Sequence, residues 1–213
     1  MATNARQSSS PADTQQRILD TAELLFAERG FAATSLRAIA TRAEVNLAAT
    51  HYHFGSKNGL LAAVFHRRIE PINTLRLAGL QQLEEDDKEL TTGKILEAFF
   101  QPLVREDMYA TAPAVIGWIY GEPEVVTKPI FEQEFTLVAS RYQQALATVL
   151  PQVDADDLRW RFHFMVGSMI HLLQMNAPLG LTSSRQSFLD GLERLINFSI
   201  AGLEQPSTGA YDV

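Results

Sequence analysis

Three short segments of helical apolar periodicity follow one another between Thr14 and Lys57, and only Glu44-Val45-Asn46 separates the second from the third. In the first, Ile18, Ala22, Leu25 and Phe26 recur at i, i+4, i+7 and i+8, which lays them on one face of a helix over Thr14–Arg29. Asp13 is the expected N-cap. Gly30 is the expected left-handed residue that ends the helix and lets Phe31 fold back onto it. A hydroxyl of Thr34 or Ser35 starts the second helix, over Ser35–Ala43, which turns Leu36, Ile39, Ala40 and Ala43 inward. The third helix, Leu47–Phe54, is capped by Asn46 and locked to the second by the apolar Val45. Two short helices joined by so tight a link fit a helix-turn-helix. In that motif the second of the pair lies in the major groove of DNA, its first residues reaching base edges while flanking groups hold phosphates.

The remainder continues the helical pattern, without a convincing period-two strand, so the expected class is all-α. A fourth helix starts at Ser56 and carries Leu60, Leu61, Val64, Phe65 and Ile69, and Pro71 is expected to kink or end it by removing an interior hydrogen bond. Glu84–Glu89 reads as a solvated acidic loop. Further helices are expected over Lys94–Arg105, Ala112–Tyr120, Pro129–Leu150, Asp154–Met175 and Ser184–Leu203, with Ala177-Pro178-Leu179-Gly180 as a break. The resulting organisation is a disordered tail over 1–12, a helix-turn-helix head over 13–57, a helical domain over 58–204 and a flexible tail over 205–213.

The charge pattern has to be divided before it makes sense. The chain of 213 residues carries a formal net charge of -7, which by itself argues against nucleic acid. Residues 1–68, however, hold eight Lys/Arg against five Asp/Glu, a net of +3, and the remainder holds ten against twenty. Local positive charge opposite phosphates is what DNA binding requires, and an acidic remainder favours docking by the N-terminal end alone. With no cysteine there is neither a disulfide framework nor a thiolate metal site. His51 and His53 are two apart on a helix and point to different faces, so no metal is expected there, and no cofactor is called for. No Ser/His/Asp arrangement or Gly-rich phosphate loop supports an enzyme. No apolar run of the roughly 20 residues needed to span a bilayer and no apolar leader are present, so a cytoplasmic location without membrane partners is expected.

The run Gly30-Phe-Ala-Ala-Thr-Ser-Leu-Arg-Ala-Ile-Ala40, then Ala43-Glu-Val-Asn-Leu-Ala-Ala-Thr-His-Tyr-His-Phe-Gly-Ser-Lys57, then Leu60-Leu61, resembles the TetR family of bacterial regulators. The resemblance covers about residues 14–65. It implies that Leu47, Ala48, Ala49 and His51 face base edges and that Tyr52, His53 and Lys57 bind phosphates. It also implies that Thr34 and Arg37 lie near the backbone. Small alanines allow close approach and thymine-methyl contact. The Tyr52 hydroxyl and a His53 N–H are suitable donors to phosphate. This chain departs from the family at His51, where Tyr is more frequent, at Thr50, where a Leu usually packs, and at Glu44, where Gly is common.

The resemblance further implies a C-terminal domain that senses a small molecule and pairs with a second copy into a homodimer. The expected interface comprises Trp160, Phe164, Gly167 and His171 on one helix and Phe188, Leu192, Leu195, Ile196 and Ser199 on the last. Candidate pocket residues are Phe99, Phe100, Leu103, Trp118, Phe131, Phe135, Phe162, Met165 and Met169, each of which also fits plain core. Few charges interrupt this set, so an apolar effector is expected. The wording Val-Asn-Leu-Ala-Ala and Tyr-His-Phe-Gly-Ser-Lys, with Glu70-Pro71, resembles a branch that includes fatty-acid-responsive regulators, which implies a fatty acid or acyl thioester. The functional expectation is a repressor released from a palindromic operator by this ligand. An activator or ligand-independent regulator with the same head, or a helical carrier or enzyme on a borrowed fold, is the alternative.

Overall fold

The computed structural model describes residues 10–86, 89–105, 122–174 and 184–207. Among them the chain is helical, with no strand: α1 (Pro11–Ala33), α2 (Leu36–Arg42), α3 (Leu47–Phe54), α4 (Lys57–Glu85), α5 (Thr92–Phe100) running into a 3-10 turn (Gln101–Val104), α6 (Glu124–Val149), α7 (Ala155–Gln174) and α8 (Arg185–Glu204). The helix expected over Ala112–Tyr120, with Trp118, lies outside the described residues, as does the break at 177–180. The described residues form two compact units, one of 10–67 with 122–130 and the other of 68–86, 89–105, 131–174 and 184–207. The start of α4, Lys57–Arg67, falls in the first unit.

The sequence misplaces the start of α1. Ser10, not Asp13, is the N-cap: its Oγ accepts from the Asp13 backbone N–H and the Asp13 carboxylate accepts from the Ser10 N–H, each at 3.1 Å. This capping box, with Pro11 in the first turn, orders residues 10–12, which composition alone assigns to a tail. Gly30 does take a positive φ, 79°, but with ψ 163°, a backbone open essentially to glycine alone. The chain bends there, and the Phe31 ring returns to within 5.5 Å of Phe26. Around it Ile18, Leu25, Phe26, Ile39, Leu60, Leu61, Val64 and Phe65 are buried and form the core of the head.

Pro71 neither ends nor visibly divides α4, which runs unbroken to Glu85 and takes in the start of the expected acidic loop. One missing N–H is tolerable in a helix of 29 residues held by a buried stripe on either side of the proline, Ile69 and Ile72 among them.

In the second unit, α8 packs against both α5 and α7. Phe99 sits at the centre of this unit's aromatic core, its ring 5.2 Å from Phe100, 5.0 Å from Tyr142 and 5.7 Å from Phe162. Phe100, Leu103, Phe162, Met165 and Met169 are buried with it, and Phe131 and Phe135 are half-buried with rings 5.9 Å apart. The fully buried Tyr142 hydroxyl donates to Arg76 O at 2.8 Å.

Residues 205–207 are not the loose tail expected of them. Arg161 donates to Asp157 and to the carbonyls of Gly202, Leu203 and Gln205, and Ser207 Oγ donates to Asp157 at 2.6 Å. The bonds from Arg161 and Ser207 hold the Asp157 carboxyl below the usual carboxylate range.

The expected interface residues divide into two groups. Phe188, Leu192 and Ser199 are buried inside the protomer, so they are core rather than docking surface. Their helical spacing was real but marks the inward side of α8. Leu195 and Ile196 are half-buried. On α7, by contrast, Trp160 is 58% and Phe164 62% exposed, with rings 5.8 Å apart, and Gly167 and His171 are exposed along the same face. On α8 the large exposed apolar residue is Phe198, which the helical spacing does not single out.

Candidate nucleic-acid interface

The turn between α2 and α3 is built from backbone bonds and one clamp. Val45 N–H donates to Ala40 O at 3.0 Å and Glu44 N–H to Thr41 O at 3.2 Å. Glu44 takes φ 52°, the left-handed conformation that a glycine would adopt at less cost. Arg17 of α1 holds it there: its guanidinium donates to Ala43 O and Glu44 O and lies 3.8 Å from the Glu44 carboxylate.

Beyond the turn, Asn46 Oδ1 accepts from Ala48 N–H at 2.9 Å and so caps α3 as expected. Thr50 is fully buried at the position where Leu is usual, and its hydroxyl is satisfied by Leu47 O at 2.7 Å. It therefore supports α3 from behind and is turned away from solvent.

The outward face of α3 is what this scaffold presents. Leu47, Ala48, His51 and Tyr52 are exposed, Tyr52 at 84%, and Ala49 and His53 are half-buried. His51 Nδ1–H donates to Gly55 O at 3.1 Å, which restrains its ring. The Tyr52 and His53 rings meet edge to face at 5.1 Å. Small side chains at the start of the helix and polar rings behind them suit a groove wall followed by phosphates.

Two expected backbone contacts are employed otherwise. Thr34 is 2% exposed, and its hydroxyl donates to Leu25 O at 3.2 Å and Gly30 O at 2.8 Å, closing the bend in α1. Lys57 Nζ donates to Phe31 O at 2.8 Å and Thr34 O at 2.9 Å and lies 4.2 Å above the Phe31 ring. Its charge therefore serves the carbonyls at the end of α1. Lys57→Met is expected to lower the stability of the head by about 1–2 kcal/mol, since hydrogen bonds to a charged group are lost. It is also expected to change the salt dependence of DNA binding by much less than the unit or so that a phosphate-bound lysine accounts for. Denaturant melts and a salt titration read both, and a slope change near one would return Lys57 to the phosphates.

The basic residues of the head are thus mostly engaged within it. Besides Arg17 and Lys57, Arg42 makes a two-pronged bond to Glu28 at 2.9 and 3.2 Å, and Arg67 pairs with Asp20 and Glu23. Arg29 and Arg37 have no ion pair or side-chain hydrogen bond among the described residues, and both are exposed. They line an open groove of about 450 Å³ between α1 and α2, with Ser35, Thr41 and Arg42. Arg37 was expected near phosphate. Arg29 was not, although it is the basic residue just before the Gly30 bend.

Residues 18–64 match the family model for bacterial regulatory proteins of the tetR family, and residues 97–202 match that for the tetracyclin repressor-like C-terminal domain. The chain belongs to the tetR family. Over 47 residues it is 55% identical to an HTH-type transcriptional repressor of Mycobacterium tuberculosis, a match covering 22% of this chain and 25% of that one. The chain thus spans about a quarter of the length of that relative. A longer likeness, 26% identity over 170 residues, joins it to the HTH-type transcriptional activator FasR of Mycolicibacterium smegmatis, covering 74% of this chain and 76% of the relative. Among solved structures, a tetR-family regulatory protein from Rhodococcus RHA1 superposes with a TM-score of 0.65 at 18% identity, covering 93% of this chain and all of the other. A transcriptional regulator from Aquifex aeolicus does so at 0.58 and 20% identity, covering 87% and 96%. These likenesses support the all-α fold with a helix-turn-helix head, and the family is one of regulators rather than enzymes. Among the described residues no helix is long and apolar enough to cross a membrane.

Proposed function

We propose that this chain is a DNA-binding transcriptional regulator that reads a two-fold-symmetric operator as a homodimer. The observation that carries the reading is the capped and clamped α3, with Leu47, Ala48, His51 and Tyr52 all exposed on it. The base-facing set is Leu47, Ala48, Ala49 and His51. Tyr52, His53, Arg37 and Arg29 take phosphates. The homodimer forms through the exposed face of α7, with Trp160, Phe164, Gly167 and His171, continued by Phe198 of α8. Two-fold proteins of this kind place their reading helices roughly 34–36 Å apart, one helical turn of DNA.

Repression relieved by a small apolar molecule is the regulatory mode we favour. The apolar core around Phe99, Phe162, Met165 and Met169 supports such a ligand, a fatty acid or acyl thioester being one class that fits. Thermodynamic linkage then requires the ligand to prefer the form with wrongly spaced reading helices. α4 contributes residues to both units and is the natural lever. Activation is the second reading, favoured by the relative named an activator, which matches three quarters of this chain.

Nuclease protection of the DNA upstream of the chain's own gene tests the central reading. A symmetric footprint with half-sites about one helical turn apart is expected. Ala48→Glu, which places a negative charge on an exposed position of α3, is expected to weaken it by about tenfold or more while leaving the fold unchanged. Full protection by Ala48→Glu would remove α3 as the reading element. Expression of the adjacent genes in a deletion strain separates repression from activation.

A further inference from the structure

In the second unit, Ile72, Arg76 and Leu80 follow one another at four-residue spacing along α4, and all three are buried. Arg76 is 3% exposed and is the only buried residue with a charged side chain among those described. Its surroundings do little for that charge. Nε donates to Phe99 O, at the end of α5, at 2.9 Å. One terminal nitrogen lies 3.5 Å from Asn73 Oδ1 and the other 3.4 Å from Met169 Sδ. The guanidinium sits 4.1 Å over the Phe99 ring, and the Tyr142 hydroxyl donates to the Arg76 backbone carbonyl. Among the described residues no carboxylate is paired with it.

A guanidinium offers five N–H donors, and only one of these makes a short bond to oxygen. Closing the Phe99 carbonyl needs a single donor, which a neutral amide would supply without the penalty of burying a charge. Burial pulls Arg76 down to about 10, so the group stays charged at neutral pH. A thioether is a weak acceptor and a methionine repacks readily, so the group facing one terminal nitrogen is easily displaced, and the other nitrogen's approach to Asn73 Oδ1, at 3.5 Å, is long.

We propose that Arg76 is the anchor of an effector site whose ligand is an amphipathic anion. The anionic head pairs with the two terminal nitrogens, displacing Met169 Sδ, and the apolar body lies among Phe99, Phe162 and Met169. This rests on the ligand-responsive reading above and adds to it the charge of the ligand and the residue that receives it. Arginine meets carboxylate and phosphate alike with a two-pronged geometry, so the shared requirement is a compact anion on an apolar chain.

Calorimetric titration of the full chain, without DNA, with dodecanoate, dodecyl phosphate and dodecan-1-ol tests the assignment. At least one anion is expected to bind about tenfold or more tightly than the alcohol, and the better of the two identifies the head group. Arg76→Gln keeps an amide for the Phe99 carbonyl. It is expected to bring anion and alcohol within about twofold of each other, with the alcohol's affinity and the thermal midpoint not lowered. Alcohol and anions binding equally to the natural chain, binding of no probe, or an anion preference that survives Arg76→Gln would overturn the proposal. Should Arg76→Gln fail to fold, Arg76→Lys decides: it is expected to keep an anion preference, and losing it counts against the anchor. Operator binding by the unliganded protein is scored on the same preparations. Intact operator binding without an anion preference overturns this proposal and leaves the DNA-binding reading standing.

Discussion

Gly59→Ala is expected to destabilise the head by about 3 kcal/mol or more, a large fraction of the 5–15 kcal/mol that holds a domain together. Gly59 lies in the first turn of α4, where its N–H donates to Ser56 Oγ at 3.0 Å. A Cβ at this position would stand 2.2 Å from the carbonyl oxygen of Phe54, the last residue of α3, and 3.4 Å from its carbon. That oxygen is backbone, so relief requires moving the end of α3 itself. Helix propensity acts the other way, since alanine is favoured over glycine by about 1 kcal/mol in a helix interior, but this is too small to compensate. Urea melts of Gly59→Ala beside Asn58→Ala, a change at the exposed neighbouring position, give the comparison. A Gly59→Ala midpoint equal to that of the natural chain would show that the α3–α4 corner is looser than described.

The second large effect is expected at the exposed face of α7. Trp160→Glu combined with Phe164→Glu should convert a dimer to a monomer and lower operator affinity by about 10²–10⁴-fold, because two linked half-site contacts become two independent ones. The rings at 160 and 164 are more than half exposed and stack chiefly on each other and on His163. Little packing inside the protomer is lost, so helical content should be retained. Sedimentation and operator titration read the two consequences together. A double variant that stays dimeric and binds DNA as before would move the interface elsewhere.

The head was legible because its signals are local. The i, i+4 pattern, the cap Asn46, a hydroxyl cap at Thr34-Ser35 and the positive φ of Gly30 each act within a few residues and are found in the structure, although Gly30 takes ψ 163° and α1 continues past it to Ala33. Ser10 escaped because a serine-rich stretch reads as tail unless the Ser-x-x-Asp spacing and the following Pro11 are weighed together. The roles of Thr34 and Lys57 escaped for another reason. Their partners, Gly30 O, Phe31 O and the carbonyl of Thr34 itself, are backbone atoms brought near by the bend in α1, and no side-chain identity announces them. In the second unit, periodicity separated the inward and outward sides of α7, but on α8 it gave the buried Phe188, Leu192 and Ser199 to the interface, since an inward and an outward phenylalanine are equally apolar to a pattern. Arg76 was visible in principle: it falls midway between Ile72 and Leu80 on the apolar side of α4.

One feature of α3 bears on how such a regulator changes over generations. Thr50 is the only residue of that eight-residue helix that is buried, and the turn before it is secured from α1 by Arg17. The exposed surface of α3, the proposed reading face, is thus nearly independent of the structure that carries it. If α3 reads the operator as proposed, descendants of this chain can explore new operator sequences by substitutions at 48, 51 and 52 with little effect on folding, so a duplicated copy can drift to a new set of genes while remaining a sound protein at each step.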